Sequence, residues 1–316
     1  RENAAEIEFD DKFIYDEIKK ELSKTLIQSS TKSLNSSINH IAKNIKVKSN
    51  TPKNKFIKMV NKGIAHCFRG DVFQIVLSRK FAQKFSGDEF CVYRQLRSIN
   101  PSPYLFYFDY GSFKIFGSSP EAQLVINDKK AEIHPIAGTF KRTGDDLLDS
   151  EKAIKLFKDD KENSEHMMLV DLARNDLSRT CSNVKVEKDR EIQFYSHVIH
   201  LVSKVTGELK SYSRDIIGST FPAGTLSGAP KHMAMKLIEK YEQHNRSFYG
   251  GAIGFIGFDN NFNHAIMIRS FLSKNQRLFL QAGAGVVSKS DPRNELQEVY
   301  NKIGALLKAL EKAEEI

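Results

Sequence analysis

Tryptophan is absent from this 316-residue chain, and cysteine occurs only at Cys67, Cys91 and Cys181. The count is odd, the spacing is wide and no Cys-x-x-Cys pair occurs. That excludes a disulfide framework and a zinc site, and implies reduced thiols in a cytoplasmic protein. No apolar run reaches the roughly 18 residues that cross a bilayer, and the acidic stretch 6–11 is unlike a signal peptide. No internal repeat is visible, and nothing among nine histidines and three cysteines reads as a nucleophile and base pair. The chain starts at Arg1 rather than Met, as expected where N-terminal sequence is missing or processed.

Against these absences stand 22 Phe and 10 Tyr, enough aromatic bulk for a large core in one big domain or two small ones. The formal net charge is +9. Such a balance permits nucleic acid, an acidic membrane surface or a small polyanion as partner. The lysines are scattered, with an excess in the first sixty residues, instead of forming one arm with interleaved aromatics. An anionic substrate therefore fits as well as nucleic acid does. A basic, non-catalytic nucleic-acid-binding protein is the alternative from a different class, but it gains nothing from clustered carboxylates.

Residues 23–54 are rich in Ser, Asn, Lys and Thr and thin in apolar residues, as in a linker. The expected division is an N-terminal remnant and polar linker over 1–52 and a catalytic domain over 53–316. Phe56, Val60, Ile64 and Cys67 keep a helical period that Gly70 can end. A strand is expected over 72–78. Four β-rich runs at 105–109, 113–116, 122–126 and 131–134 read as one antiparallel meander. Helices are expected over 151–157, capped by Asp149 or Ser150, and over 162–172. Strands follow at 184–186 and 197–206. Ser227 reads as an N-cap, with Pro230 in the first turn of a helix to about residue 242. Strands return at 249–258 and in a hairpin of 264–272 with 278–282, before an amphipathic helix from Pro292. Hairpins followed by helices, without βαβ alternation, predict an α+β fold of antiparallel sheets packed together with helices outside.

Two Glu-x-x-Glu pairs, Glu162/Glu165 and Glu295/Glu298, stand out. Residues three apart share a helix face, so each pair would aim two mutually repelling carboxylates one way. A hard cation removes that repulsion, and the pairs read as a split Mg2+ site. Gly283-Ala284-Gly285 follows a strand and lets backbone amides approach an anion. Residues 223–231 form a Gly-rich entry into a helix, another anion site. Arg269 lies in an apolar strand, where an inward charge needs a partner such as a substrate carboxylate. Glu121, at the mouth of a strand, is a candidate general acid. Gln74 and His200, each taken alone, read as satisfied core residues.

Together these residues resemble the chorismate-utilising enzymes, and among them the anthranilate synthases, from about residue 70 to 310. The resemblance is carried by Gly70-Asp71-Val72-Phe73-Gln74, Asn100-Pro101-Ser102-Pro103-Tyr104, Gly117-Ser118-Ser119-Pro120-Glu121 and Pro135-Ile136-Ala137-Gly138-Thr139. It continues through Glu165-His166, Asp171-Leu172-Ala173-Arg174-Asn175-Asp176, the 221–231 segment, Tyr249-Gly250-Gly251-Ala252 and Gln281-Ala282-Gly283-Ala284-Gly285.

The resemblance implies chorismate as substrate and Mg2+ as cofactor. Glu165 and Glu298 would ligate the ion, and Glu162 and Glu295 would hold its waters. Tyr249, Arg269, Gly283, Ala284, Gly285 and Lys302 would hold the enolpyruvyl carboxylate, with Thr139 lining the cleft. Glu121 would protonate the departing C4 hydroxyl, and His200 and Thr225 would serve the elimination of pyruvate; His197 lies close by. Family members that activate water carry lysine at Gln74, and many aminodeoxychorismate synthases carry a nucleophilic lysine at Ala137. Glutamine and alanine here imply direct amination at C2 by ammonia from a glutamine amidotransferase partner. A synthase of aminodeoxychorismate or of 2-amino-2-deoxyisochorismate is the alternative within the family. Pro103, Tyr104 and Leu105 match half of the family's tryptophan effector pocket. The Leu-Leu-Glu-Ser segment that forms its other half does not occur in 1–316.

Overall fold

The computed structural model describes residue 20 and residues 47–194, 198–210 and 212–313, without the side chains of residues 139 and 161. The expected polar linker lies outside the described residues up to residue 46, apart from residue 20. The chain runs β1 (Lys48–Ser49), α1 (Lys53–Phe68), β2 (Gln74–Lys84), α2 (Glu89–Ile99), β3 (Tyr104–Asp109), β4 (Lys114–Ser119), β5 (Ala122–Asn127), β6 (Lys130–Ile133) and β7 (Ile136–Lys141). Next come α3 (Asp146–Phe157), α4 (Asp160–Ser178), β8 (Cys181–Phe194), β9 (Val198–Leu209), α5 (Ser213–Thr220), α6 (Gly224–Ser227), β10 (Gly228–Ala229) and α7 (Lys231–Tyr241). β11 (Ala252–Ile256), β12 (Phe262–Ile266), β13 (Ser270–Lys274), β14 (Arg277–Val286) and α8 (Pro292–Ala313) close the order.

The strands form two seven-stranded sheets. The first runs β1-β2-β14-β13-β4-β3 with β10 also on β2, and the second runs β11-β12-β5-β6-β9-β7 with β8 also on β9. Every described pairing is antiparallel, so the fold is α+β as expected. No helix among the described residues is long and apolar enough to cross a membrane.

Each sheet buries its apolar side chains under helices. Phe56 and Val60 of α1, Leu96 of α2, Leu237 of α7 and Val299, Ile303, Leu306 and Leu310 of α8 cover Ile75, Leu77, Phe116 and Phe271 of the first sheet. The α8 residues recur at helical spacing, so one stripe of that helix faces the core. On the second sheet, Val170 and Leu177 of α4 and Ile216 of α5 pack on Leu124, Ile126, Val205 and Phe262. Full burial of each such side chain contributes about 1.5–3 kcal/mol.

The expected meander is broken in the structure. β4 pairs with β3 and β13 in the first sheet, whereas β5 pairs with β6 and β12 in the second. The chain changes sheet at Pro120-Glu121. The single strand expected over 264–272 is likewise two, β12 and β13, which change sheet at Met267-Ile268-Arg269. Because β4 pairs with β13 and β5 with β12, the two changes occur side by side in one two-stranded ribbon. Ser118 N donates to Arg269 O at 3.1 Å and Ile266 N to Glu121 O at 3.0 Å, holding the ribbon together through the bend.

Two helix starts also differ from expectation. Asp145 caps α3 by accepting from Leu147 N and Leu148 N; Asp149 is instead buried, accepting from Thr143 N, Thr143 Oγ1 and Arg142 Nε. Ser227 ends the short helix α6, its hydroxyl donating to Ala223 O. α7 starts only after Pro230, because Gly228–Ala229 first pairs with β2.

Gly117, beside Ser270 in the ribbon, has no room for a side chain: a Cβ there would stand 2.8 Å from Phe106 Cζ and against Ser270 Oγ. Gly117→Ala is expected to destabilise the protein by about 1–3 kcal/mol, the range for overpacking, read as a lower urea midpoint at unchanged slope. An unchanged midpoint would contradict the ribbon packing.

Candidate functional site

The bend of the ribbon sets two functional side chains next to each other. Arg269 is half-buried and turns the chain at φ +52, a left-handed conformation that costs a non-glycine residue about 1–3 kcal/mol and concentrates at functional sites. Among the described residues its guanidinium makes no hydrogen bond or salt bridge. It faces Tyr249 and Glu121, and burial lowers its pKa against their opposing pull. Glu121 accepts from Thr225 Oγ1 at 2.9 Å. Burial pushes the Glu121 carboxyl up from its ordinary 4.5 to about 7, although Thr225, Lys302 and Arg269 each pull it down. A carboxyl poised near neutrality suits proton donation.

Tyr249 reaches the same place because its loop hooks onto the ribbon. Gly250 N donates to Met267 O and Met267 N to Gly251 O. Arg246 secures the loop from beneath: its guanidinium donates to Leu226 O, Val76 O and both Glu242 carboxylate oxygens. Glu242 in turn accepts from Ser78 N and Ser78 Oγ. The Tyr249 ring is buried and its hydroxyl hydrogen-bonds the Gly283 backbone. Burial raises its pKa well above the ordinary 10.0, so the phenol stays protonated.

Both Glu-x-x-Glu helices converge on β14 at Gly283-Ala284-Gly285. From α4, Glu165 Oε1 accepts from Gln74 Nε2 at 2.7 Å and would lie 3.8 Å from a Cβ at Gly285. From α8, Lys302 pairs with Glu298 and donates to Gly283 O at 3.0 Å. Glu162 Oε2 would lie 3.2 Å from a Cβ at Gly138. Glu295 is 9% exposed, more buried than a solvated helix face would leave it. Among the described residues no three His, Cys, Asp or Glu side chains gather into a ready metal cluster. The donors offered are nonetheless carboxylates on two helices flanking the same glycine strand, an oxygen-only set that suits a hard cation.

His200 stands on β9 and its Nδ1 donates to Gly138 O at 2.9 Å. Only a protonated nitrogen can bond a carbonyl, so Nε2 carries the lone pair. Burial lowers the His200 pKa below its ordinary 6.5, opposed by the Gly138 bond. Gly138 is a β-bulge at φ +68, where the β7–β9 register shifts between Ala137 and Thr139. A Cβ there would stand 2.6 Å from Leu156 Cδ1. Ala137 is buried on the same strand; the Thr139 side chain and His197 lie outside the described residues. Gly138 and the Arg246–Glu242 pair were not singled out from sequence. The Glu242/Arg246 spacing of four was their one visible signal.

Pro103, Tyr104 and Leu105 are not in this cluster. They open the edge strand β3, where Tyr104 pairs with Ser119, two residues before Glu121.

A profile of the chorismate binding enzymes matches residues 5–308. The chain is 45% identical over 272 residues to anthranilate synthase component 1 of Aquifex aeolicus, covering 85% of this chain and 55% of that protein. It is 46% identical over 274 residues to the Bacillus subtilis component 1, covering 85% and 53%. The chain thus spans about half the length of the curated relatives it matches. Among solved structures, anthranilate synthase component I of Streptococcus pneumoniae superposes with a TM-score of 0.84 at 35% identity, over 96% of this chain and 68% of that one. Profile, sequence identity and fold agree with the geometry of the cleft: the chain belongs to the chorismate binding enzymes.

Proposed function

We propose that this chain carries the synthase activity of an anthranilate synthase, converting chorismate and ammonia to anthranilate, pyruvate and water. The observation that carries the reading is the pair Gln74 and Ala137. Both are buried, and neither supplies the lysine that in this family activates water or attacks the ring. Gln74, an uncharged side chain past which neutral ammonia can approach C2, instead donates to Glu165. An ammonia-supplying glutamine amidotransferase is the partner this chemistry calls for, consistent with relatives named as a first component.

The roles follow from the site. Glu165 and Glu298 would hold a Mg2+ ion, with Glu162 and Glu295 behind them. When bound, the cation supplies positive charge that offsets the ring carboxylate of chorismate. Arg269 and Tyr249, with backbone of 283–285, hold the enolpyruvyl carboxylate; Arg269 has no anion bonded to it among the described residues. Glu121 donates its proton to the C4 oxygen as that bond breaks and ammonia bonds C2. His200, neutral with its Nε2 lone pair, takes the C2 proton in the second step, and Thr225 holds Glu121 in place.

Supplied with chorismate, Mg2+ and ammonium, the protein is expected to form anthranilate, followed by fluorescence, and to form none after chelation. Release of aminodeoxychorismate, isochorismate or the unaromatised aminated ring would refute the assignment. Glu121→Gln is expected to lower kcat by about 10²–10⁴-fold, the usual contribution of a general acid. The active form of Glu121 is the protonated one, so its share falls as pH rises through about 7. At constant free NH3 the rate should be level below that pH and drop about tenfold per unit above it; a level rate to pH 8 would exclude Glu121 as the acid. His200→Gln is expected to leave amination running while the aminated intermediate accumulates, detectable by chromatography; unchanged anthranilate release would remove His200 from the mechanism.

A further inference from the structure

Behind Glu121, on the second-sheet side, lies a cavity of about 40 Å3 whose wall includes Glu121, Gln123, His134, Ala173, Thr220 and Thr225. One water needs roughly 10–15 Å3 of such space, so there is room for about three. Gln123 is 4% exposed. Its Nε2 donates to Thr220 Oγ1 at 3.2 Å, and the Thr220 hydroxyl donates onward to Ile216 O at 2.9 Å. The Thr220 hydrogen is therefore committed to a carbonyl, which fixes the Gln123 amide with nitrogen toward Thr220. Gln123 Oε1 is left as a buried acceptor with no partner among the described residues. Such an atom is costly to bury unless something donates to it.

Glu121 poses the complementary problem. One turnover moves its proton onto the C4 oxygen, which leaves as water, and the carboxylate must regain a proton before the next. The bond formed at C2 leaves the new C–NH3+ group with one proton in surplus. That proton passes to solvent, so returning one from solvent to Glu121 balances the cycle without oxidant or reductant. The substrate occupies the cleft side of Glu121. The cavity side leads to His134, whose side chain is 33% exposed.

We propose that this cavity is a water site held by Gln123 Oε1, and that its water returns the proton to Glu121 from behind the substrate. The relay rests on the anthranilate synthase reading; the water site does not. Gln123 is a positioning residue here, acting through water on the general acid. Its neighbours in the wall explain the placement: Thr225 holds Glu121 from the α6 side, and Thr220 orients Gln123 from the end of α5.

A crystal structure of the protein at better than about 1.8 Å resolution is expected to show ordered water within hydrogen-bonding reach, about 2.7–3.2 Å, of Gln123 Oε1. Gln123→Leu removes the acceptor, whereas Ala173→Val fills the cavity and leaves every polar group intact. Both are expected to lower kcat about tenfold at unchanged KM for chorismate, a modest part of what a general acid contributes. Both should also raise the solvent deuterium isotope effect on kcat, which a merely structural loss would leave alone. A cavity without water at that resolution, or wild-type kcat and isotope effect in both variants, overturns the proposal. Ordered water in a folded protein that makes no anthranilate would instead sink the assigned reaction and the relay with it, leaving the water site standing.

Discussion

The two backbone hydrogen bonds across the bend of the β4–β5/β12–β13 ribbon, Ser118 N to Arg269 O and Ile266 N to Glu121 O, are the constraint on which the rest of the site depends. A ribbon that passes from one sheet to another must bend, and both strands must bend together or lose pairing. The bend brings Glu121 on one side of the ribbon and Arg269 on the other near enough for their charges to act on each other. It also exposes the backbone of Met267, which the Tyr249 loop then caps with paired bonds through Gly250 and Gly251. The Glu121 carboxyl, the Arg269 guanidinium and the Tyr249 hydroxyl are thus located by main-chain geometry. Side-chain packing alone would place them with far more freedom.

The opposite wall is built on a different principle, close approach. Gly283-Ala284-Gly285 lies in β14 between β2 and β13, a central strand where glycine contributes no cross-strand side-chain contacts. Its cost is offset by what comes near. Gln74, Glu165 and the Tyr249 hydroxyl would all stand within 3.8 Å of a Cβ on Gly283 or Gly285, and Lys302 bonds the Gly283 carbonyl. Gly138 performs the same service on the second sheet, where one bulged residue lets Glu162 approach and turns a carbonyl toward His200. Small residues in the strands are the counterpart of the long acidic side chains on α4 and α8.

Much of this was legible in the sequence, for physical reasons that differ by residue. Arg269 announced itself as a charge in an apolar run, and the two glutamate pairs as like charges sharing helix faces. The β-rich runs report that 113–116, 122–126 and 264–272 are extended, but period-two patterning carries no information about which sheet a strand joins. The meander and the long hairpin were therefore drawn through the places where the chain changes sheet. Asp145, Asp149 and Ser150 are all competent caps by type, and only the buried Arg142–Asp149 pair, formed across a loop, decides among them. The spacing of Arg246 from Glu242 hints at a pair, but its other partners, the carbonyls of Val76 and Leu226, carry no residue-specific signal. The Gln123 acceptor was invisible for a related reason: an unpaired oxygen exists only once the fold has assigned every other bond.

Burial acts with opposite sign on the two groups proposed to exchange protons, Glu121 and His200. It disfavours charge, so it raises the Glu121 carboxyl to about 7 and lowers the His200 imidazole. Near neutral pH the first therefore holds a proton it can give and the second lacks one it can take. Neither state needs a dedicated charged partner; Thr225 and the Gly138 carbonyl serve to orient. Arg269 and Lys302 do oppose the rise at Glu121, and a substrate carboxylate placed on Arg269 cancels part of that opposition. Binding of an anionic substrate thereby favours the protonated acid at the moment it is required. The same carboxylate weakens the charge that depresses His200, strengthening the base for the step that follows. In the proposed reaction Arg269, whose charge acts on both Glu121 and His200, would couple occupancy of the anion site to both proton transfers.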